Sequence, residues 1–216
     1  MKTSKYIVLD VETGGLKPTD NPIVELACLS LHNDTFEEIS RMETYVRQYE
    51  GLKIEPKALE ANGIKLADIA KGVTHQELFA KLMDEIRQAN PTGKKATRPI
   101  LIGHNVNFDA GFLKVLFKLN KTEFYDHFNE VYLDTLLMAK LLWDGTPLTD
   151  GNSYNLSSCC ERMGINLINA HRAMNDVVAT KDLFVAIKNQ MRNGGGGGSS
   201  TLSNSSEGKK RPYFQF

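Results

Sequence analysis

Apolar positions along the chain follow two alternating rhythms. Residues 5–11, KYIVLDV, form a continuous apolar run, as in a strand buried on both faces. Residues 22–31, PIVELACLSL, set Ile23, Glu25 and Ala27 against Val24, Leu26 and Cys28, a second strand of period two. The segment 36–47 is more polar and reads as an edge strand. Between 75 and 89 the period lengthens, with Leu78, Leu82 and Ile86 on one face of an amphipathic helix. RPILIGHN (98–105) is a short buried strand closed by Gly103. The helical spacing of 108, 112, 115, 116 and 119 follows it, with Asn105 placed as the helix N-cap. Residues 130–143 begin strand-like and turn helical, and 155–165 read as a short helix stopped at Gly164. A long helix over 175–191 carries Val177, Thr180, Phe184, Ile187 and Met191 on one stripe. No internal repeat is present, and the alternation predicts an α/β fold with a mixed sheet.

The pattern stops at Asn193. Residues 1–193 read as one domain, 194–208 as a flexible Gly/Ser-rich linker and 209–216, KKRPYFQF, as a basic, aromatic tail. The 26 basic and 26 acidic residues cancel, so no global basic field coats the molecule. That excludes simple electrostatic coating of nucleic acid and leaves room for a local site carrying its own cations. Cys28, Cys159 and Cys160 form no CxxC pattern and read as reduced thiols of an intracellular protein. The N-terminus meets a charge too soon for a signal peptide. No apolar run reaches the ~18 residues of a membrane span. A cytoplasmic, non-membrane chain is the expectation.

Candidate chemistry gathers at three places. Asp10 and Glu12 lie two apart at the end of the first strand, so their side chains share one face just before Thr13-Gly14-Gly15. Like charges this close repel unless a cation joins them, and hard oxygen ligands favour Mg²⁺ or Mn²⁺. The plainer alternative is a solvated strand end. A haloacid-dehalogenase site would need Asp where Glu12 stands, and neither GxGxxG nor a P-loop lysine motif is present. Asp109 falls in the first turn of the helix after residue 105. Phe108 and Phe112 face the core there, which turns Asp109 about 100° to the helix flank. His171 precedes Asp176 by five residues; Asn175-Asp176 looks like a helix start, which leaves His171 on a loop. His104, before the expected cap, reads as structural.

Taken together, LDVETGG, HNVNFDAGF and HRAMND resemble the three motifs of the DEDD superfamily of 3′–5′ exonucleases. The branch is the one typified by the proofreading exonuclease subunit of bacterial replicative DNA polymerase. The segments IEPKALEANGI, YLDTLLMAKLL and YNLSSCCERMGI are similar to the family's connecting elements, so the resemblance runs over roughly residues 5 to 190. His171 and Asp176 have the H-x₄-D spacing of the histidine branch; the tyrosine branch would need Tyr where Arg172 stands. The resemblance implies an RNase H-like fold, a mixed five-stranded sheet flanked by helices, with two Mg²⁺ ions (Mn²⁺ substituting) among the carboxylates. It assigns Asp10 to both ions, Glu12 and Asp176 to the site of the attacking water, and Asp109 to the second ion. His171 is the general base. Thr13 would meet the terminal nucleotide, Leu16 would wedge against the last bases, and Asn62 stands where relatives often carry His.

The implied reaction removes nucleoside 5′-monophosphates from single-stranded or 3′-frayed DNA, in DNA polymerase proofreading or repair. The tail then reads as a docking peptide for a DNA polymerase or sliding clamp. RNA trimming of the oligoribonuclease or ribonuclease T kind is the alternative, and a non-catalytic binding module the remote one.

Overall fold

The computed structural model describes residues 4–143, 153–167 and 172–194. Its sheet has five strands: β1 (Ser4–Thr13), β2 (Ile23–His32), β3 (Glu38–Tyr45), β4 (Ile100–Gly103) and β5 (Tyr132–Asp134). They lie in the order β3-β2-β1-β4-β5. The β1/β2 and β2/β3 pairs are antiparallel, and β1/β4 and β4/β5 are parallel. The central place of β1 accounts for its continuous apolar run, because Ile7, Val8 and Leu9 must be covered on both faces. The polar segment does form the edge strand, β3.

Helices cover both faces. On one, α3 (His75–Ala89) and α4 (Asn107–Leu119) bury Leu78, Leu82, Ile86, Phe112 and Phe117 against Ile7, Leu9 and Val11. On the other, α7 (Ala173–Gly194) buries Val177 and Phe184 against Val8, Ala27, Leu29 and Ile102. Helices α5 (Thr135–Leu142) and α6 (Leu156–Arg162) pack on α7 around Ala139, Cys159, Cys160, Leu183 and Ile187. All three cysteines are buried free thiols. The expected α/β class, mixed five-stranded sheet and flanking helices are present, and none of the described helices is long and apolar enough to cross a membrane.

Four local readings change. Alternation in β2 does not mark a solvent face: every position but His32 is buried, Glu25 included. Asn105 does not cap α4. It adopts φ 65°, and its backbone N–H donates to Asp134 Oδ1 at 3.0 Å, so the helix starts only after Val106. Helix α7 begins at Ala173, two residues early, which carries Asp176 to its fourth position. Between β3 and α3 stand two further helices, α1 (Pro56–Asn62) and α2 (Leu66–Lys71). The first is bracketed by Pro56 at its start and Gly63 (φ 68°) after its end, a signal that was available in the sequence. His171, residues 195–208 of the linker and the 209–216 tail lie outside the described residues.

Candidate active site

Strand parity builds the site. Val8 faces α7, so Asp10 and Glu12 project from that same face as β1 runs out beyond the apolar core. Helix α7 brings Asp176 to them from its first turn. Asp10, Glu12 and Asp176 each offer a carboxylate oxygen within 4.8 Å of the others. Asp109 comes from the opposite side of the sheet. It is only 3% exposed, and its Oδ1 accepts a hydrogen bond from the N–H of Val11 at 3.1 Å. Helix α4 is thereby stitched to β1 at the residue between Asp10 and Glu12, rather than leaving Asp109 out on its flank.

The electrostatics follow from this crowding. Burial, then the neighbouring Asp109, Glu12, Asp176 and Glu25, push the Asp10 carboxyl well above the usual range. Burial and then Asp176 and Glu25 raise Glu12 to about 7, against an opposing pull from Arg172. Burial raises Asp109 to about 8, although the Val11 N–H works the other way. An all-oxygen donor set this close and this strained by mutual repulsion fits a hard divalent cation.

Beside the carboxylates lies a cleft of about 400 Å³, lined among others by Thr13, Leu16, Lys57, Asn62 and Phe108. Leu16 is 78% exposed at its mouth. Thr13 is buried, and its hydroxyl donates to Gly15 O at 2.6 Å. Asn62 is turned inward: its amide donates to Thr13 O at 3.4 Å and its Oδ1 accepts from the Ile64 N–H at 3.0 Å. Phe108, assigned to the core by its spacing, does pack against Phe112 with ring centroids 5.0 Å apart, yet it is only half-buried and forms part of the cleft wall.

The two glycines after β1 allow a close approach within the chain. A Cβ on Gly15 would stand 2.5 Å from the Asn21 side chain, and one on Gly14 would stand 2.9 Å from Pro22. In the direction of a Cβ the space is taken by the chain itself, while Gly15 also lines the cleft. Asn21 Oδ1 accepts from the Lys17 N–H and its amide donates to Lys53 O, which clamps the turn after β1.

Sequence reasoning missed Phe108 as a cleft residue, Lys57 and Glu25. Lys57 lay in the unassigned helix α1. Glu25 is fully buried directly opposite Glu12, held by a partner 147 residues away. His104 is structural as read: its ring bridges Thr135 Oγ1 (2.9 Å) and Tyr154 O (2.8 Å), and burial lowers its pKa.

A mixed sheet whose central strand ends in clustered carboxylates, with an open cleft alongside, is the framework of a metal-assisted phosphodiester hydrolase. The sequence model described as Exonuclease (RNase_T) matches residues 7–184, and the chain belongs to this family, within the DEDD superfamily of 3′–5′ exonucleases. Among its relatives, ribonuclease T of Marinobacter nauticus is 31% identical over 197 residues, covering 86% of this chain and 83% of that protein. Escherichia coli exonuclease I in complex with a dT13 oligonucleotide superposes with a TM-score of 0.72 at 22% identity, over 89% of this chain and 43% of that one. The zinc-bound form of the same enzyme with single-stranded DNA gives 0.73 at 22% identity, over 88% and 41%. The chain thus spans less than half the length of exonuclease I, and that likeness carries the RNase H-like fold alone. The protein is a 3′–5′ exonuclease.

Proposed function

We propose that this exonuclease trims the 3′ end of single-stranded nucleic acid, releasing one nucleoside 5′-monophosphate per turnover. The observation that carries the reading is the convergence of Asp10, Glu12 and Asp176 within 4.8 Å, beside a cleft sized for one terminal nucleotide. Asp10, Glu12 and Asp176 would hold one divalent cation, and Asp10 with Asp109 a second, with Mg²⁺ as the physiological ion and Mn²⁺ substituting. When bound, such a pair offsets the charge developing on the phosphate and on the oxygens entering and leaving it.

The chain's own residues do the rest. His171 accepts a proton from the attacking water as the water oxygen bonds to phosphorus. The phosphorus–O3′ bond then breaks, and the departing 3′ oxygen is protonated from solvent. Thr13 and Asn62 shape the floor of the cleft, and Leu16 stands where it would part the last bases. The Phe108 ring offers a face on which the terminal base stacks, a contact that tolerates any base. Lys57, exposed on the cleft rim, supplies the local cation that a chain of zero net charge requires.

Two sugars fit this geometry. The basic, aromatic tail points to frayed or single-stranded DNA and a tethered role at a polymerase or clamp, with residues 1–193 as the catalytic domain. A relative named ribonuclease T, 31% identical and matched over 83% of its length, favours RNA. The deciding experiment is a gel time course on matched 3′-labelled DNA and RNA oligomers, single-stranded and mispaired, with Mg²⁺ and with EDTA. We expect stepwise 3′ shortening in Mg²⁺ and none in EDTA. Preference for RNA ends would assign the protein to RNA trimming, and preference for a mispaired DNA primer to proofreading. No turnover on any substrate in Mg²⁺ or Mn²⁺ would overturn the catalytic reading.

A further inference from the structure

Glu25 sits 0% exposed on β2, in direct register with Glu12 and on the same face of the sheet as the carboxylate cluster. A further buried carboxylate close enough to act on Asp10 and Glu12 is a costly place for an unpaired negative charge. It is fully occupied. Arg172 Nη2 donates to Glu25 Oε1 at 3.1 Å, and the N–H of Ala173, the first residue of α7, donates to Oε2 at 3.3 Å. The Arg172 guanidinium also lies over the Tyr45 ring, 5.5 Å from its centroid, so β3 closes the same contact. Glu25 thus accepts one of the free N–H groups that every helix start leaves, at the end of the dipole that favours an anion. Asp176 follows three residues after that anchored N–H.

We propose that Glu25 and Arg172 are positioning residues that seat the first turn of α7 on β2 and so hold Asp176 at the distance from Asp10 and Glu12 that a divalent cation needs. The inference rests on the carboxylate metal site proposed above. One feature favours this over a simple charge effect: the contacts run to backbone and ring as well as to charge, which fixes the direction of the helix as well as its proximity. Supporting partners of this kind commonly set metal affinity by about 10–100-fold.

The sign of one substitution separates the two accounts. Arg172→Ala removes a cation near the cluster, so a through-space effect would tighten binding of Mn²⁺. Loss of positioning would weaken it. We expect the full chain carrying Arg172→Ala to bind Mn²⁺ about tenfold or more weakly than wild type by isothermal titration calorimetry, at a temperature where near-ultraviolet circular dichroism shows both folded. The double variant Glu25→Gln, Arg172→Ala leaves no unpaired buried charge and changes the net charge by zero, which guards against simple unfolding of the single variant; weakening of the same order is expected there too, under conditions where near-ultraviolet circular dichroism shows it folded. Unchanged or tighter Mn²⁺ binding in either folded variant would overturn the positioning role alone. Absence of Mn²⁺ binding to the wild-type chain would overturn the metal-site reading and this inference with it.

Discussion

Asp10 is the residue under greatest electrostatic load, since every neighbour that shifts it is another acid. In the absence of cation that load opposes folding, and in turnover it becomes the means of holding one. Asp10→Ala is therefore expected to separate the two roles. Turnover falls below detection in Mg²⁺, while the variant's melting temperature in EDTA at pH 8 is equal to or above that of wild type. Scanning calorimetry and the gel assay read these independently; wild-type turnover by a metal-replete variant would remove Asp10 from the chemistry. Asp10 and Glu12 were legible because period two is the most reliable rule of strand geometry. Glu25 was not, because its meaning depends on Arg172 and Ala173, and no local pattern connects positions so far apart in sequence. Phe108 was half legible: helical spacing placed it toward the core, but spacing carries no information on where the core ends and a cleft begins.

At the level of elements, the turn after β1 matters as much as the strand. Gly14 N–H donates to Pro22 O at 2.8 Å, and Gly14 O accepts from the Glu55 N–H at 2.7 Å, which ties the end of β1 to both β2 and the approach to α1. Asn21 fills the space a side chain on Gly15 would need. Gly15→Ala should push Asn21 off its three partners, at a cost of about 1–3 kcal/mol by overpacking alone. Because Thr13 bonds to Gly15 O, the cleft floor moves with it. Urea denaturation is expected to show the loss of stability, and KM for a short oligomer is expected to rise more than kcat falls. Stability within 0.5 kcal/mol of wild type, an order-of-magnitude surface value, would show that the turn yields without cost. The Gly-Gly pair was visible in the sequence and its role was not. Glycine signals close approach in general, and only the fold shows that Asn21 and Pro22 stand where side chains on these glycines would be.

For the whole molecule, the site couples stability to pH and to divalent cations. Glu12 rises from 4.5 to about 7 and Asp109 from 3.8 to about 8, and Asp10 is raised as well. An acid whose pKa is raised on folding binds its proton more tightly in the native state. Its contribution is complete below the unfolded value near 4 and is lost as pH climbs through 7 to 8. In EDTA the melting temperature should accordingly fall between pH 5 and pH 8.5, with the steepest loss between pH 5 and pH 7 and a flattening as pH passes 8. A divalent cation competes with those same protons, so Mn²⁺ should restore little at pH 5 and much at pH 8. At a concentration of about 100 times Kd it stabilises by about 2.7 kcal/mol, which is roughly 5–10 °C for a domain of this size. Differential scanning calorimetry across that pH range, with and without Mn²⁺, tests the coupling on the intact chain. Equal Mn²⁺ shifts at pH 5 and pH 8 would mean that the ion binds somewhere other than these carboxylates. A shift that grows with pH in wild type and disappears in Asp10→Ala would tie the proton, the cation and the fold to one strand end.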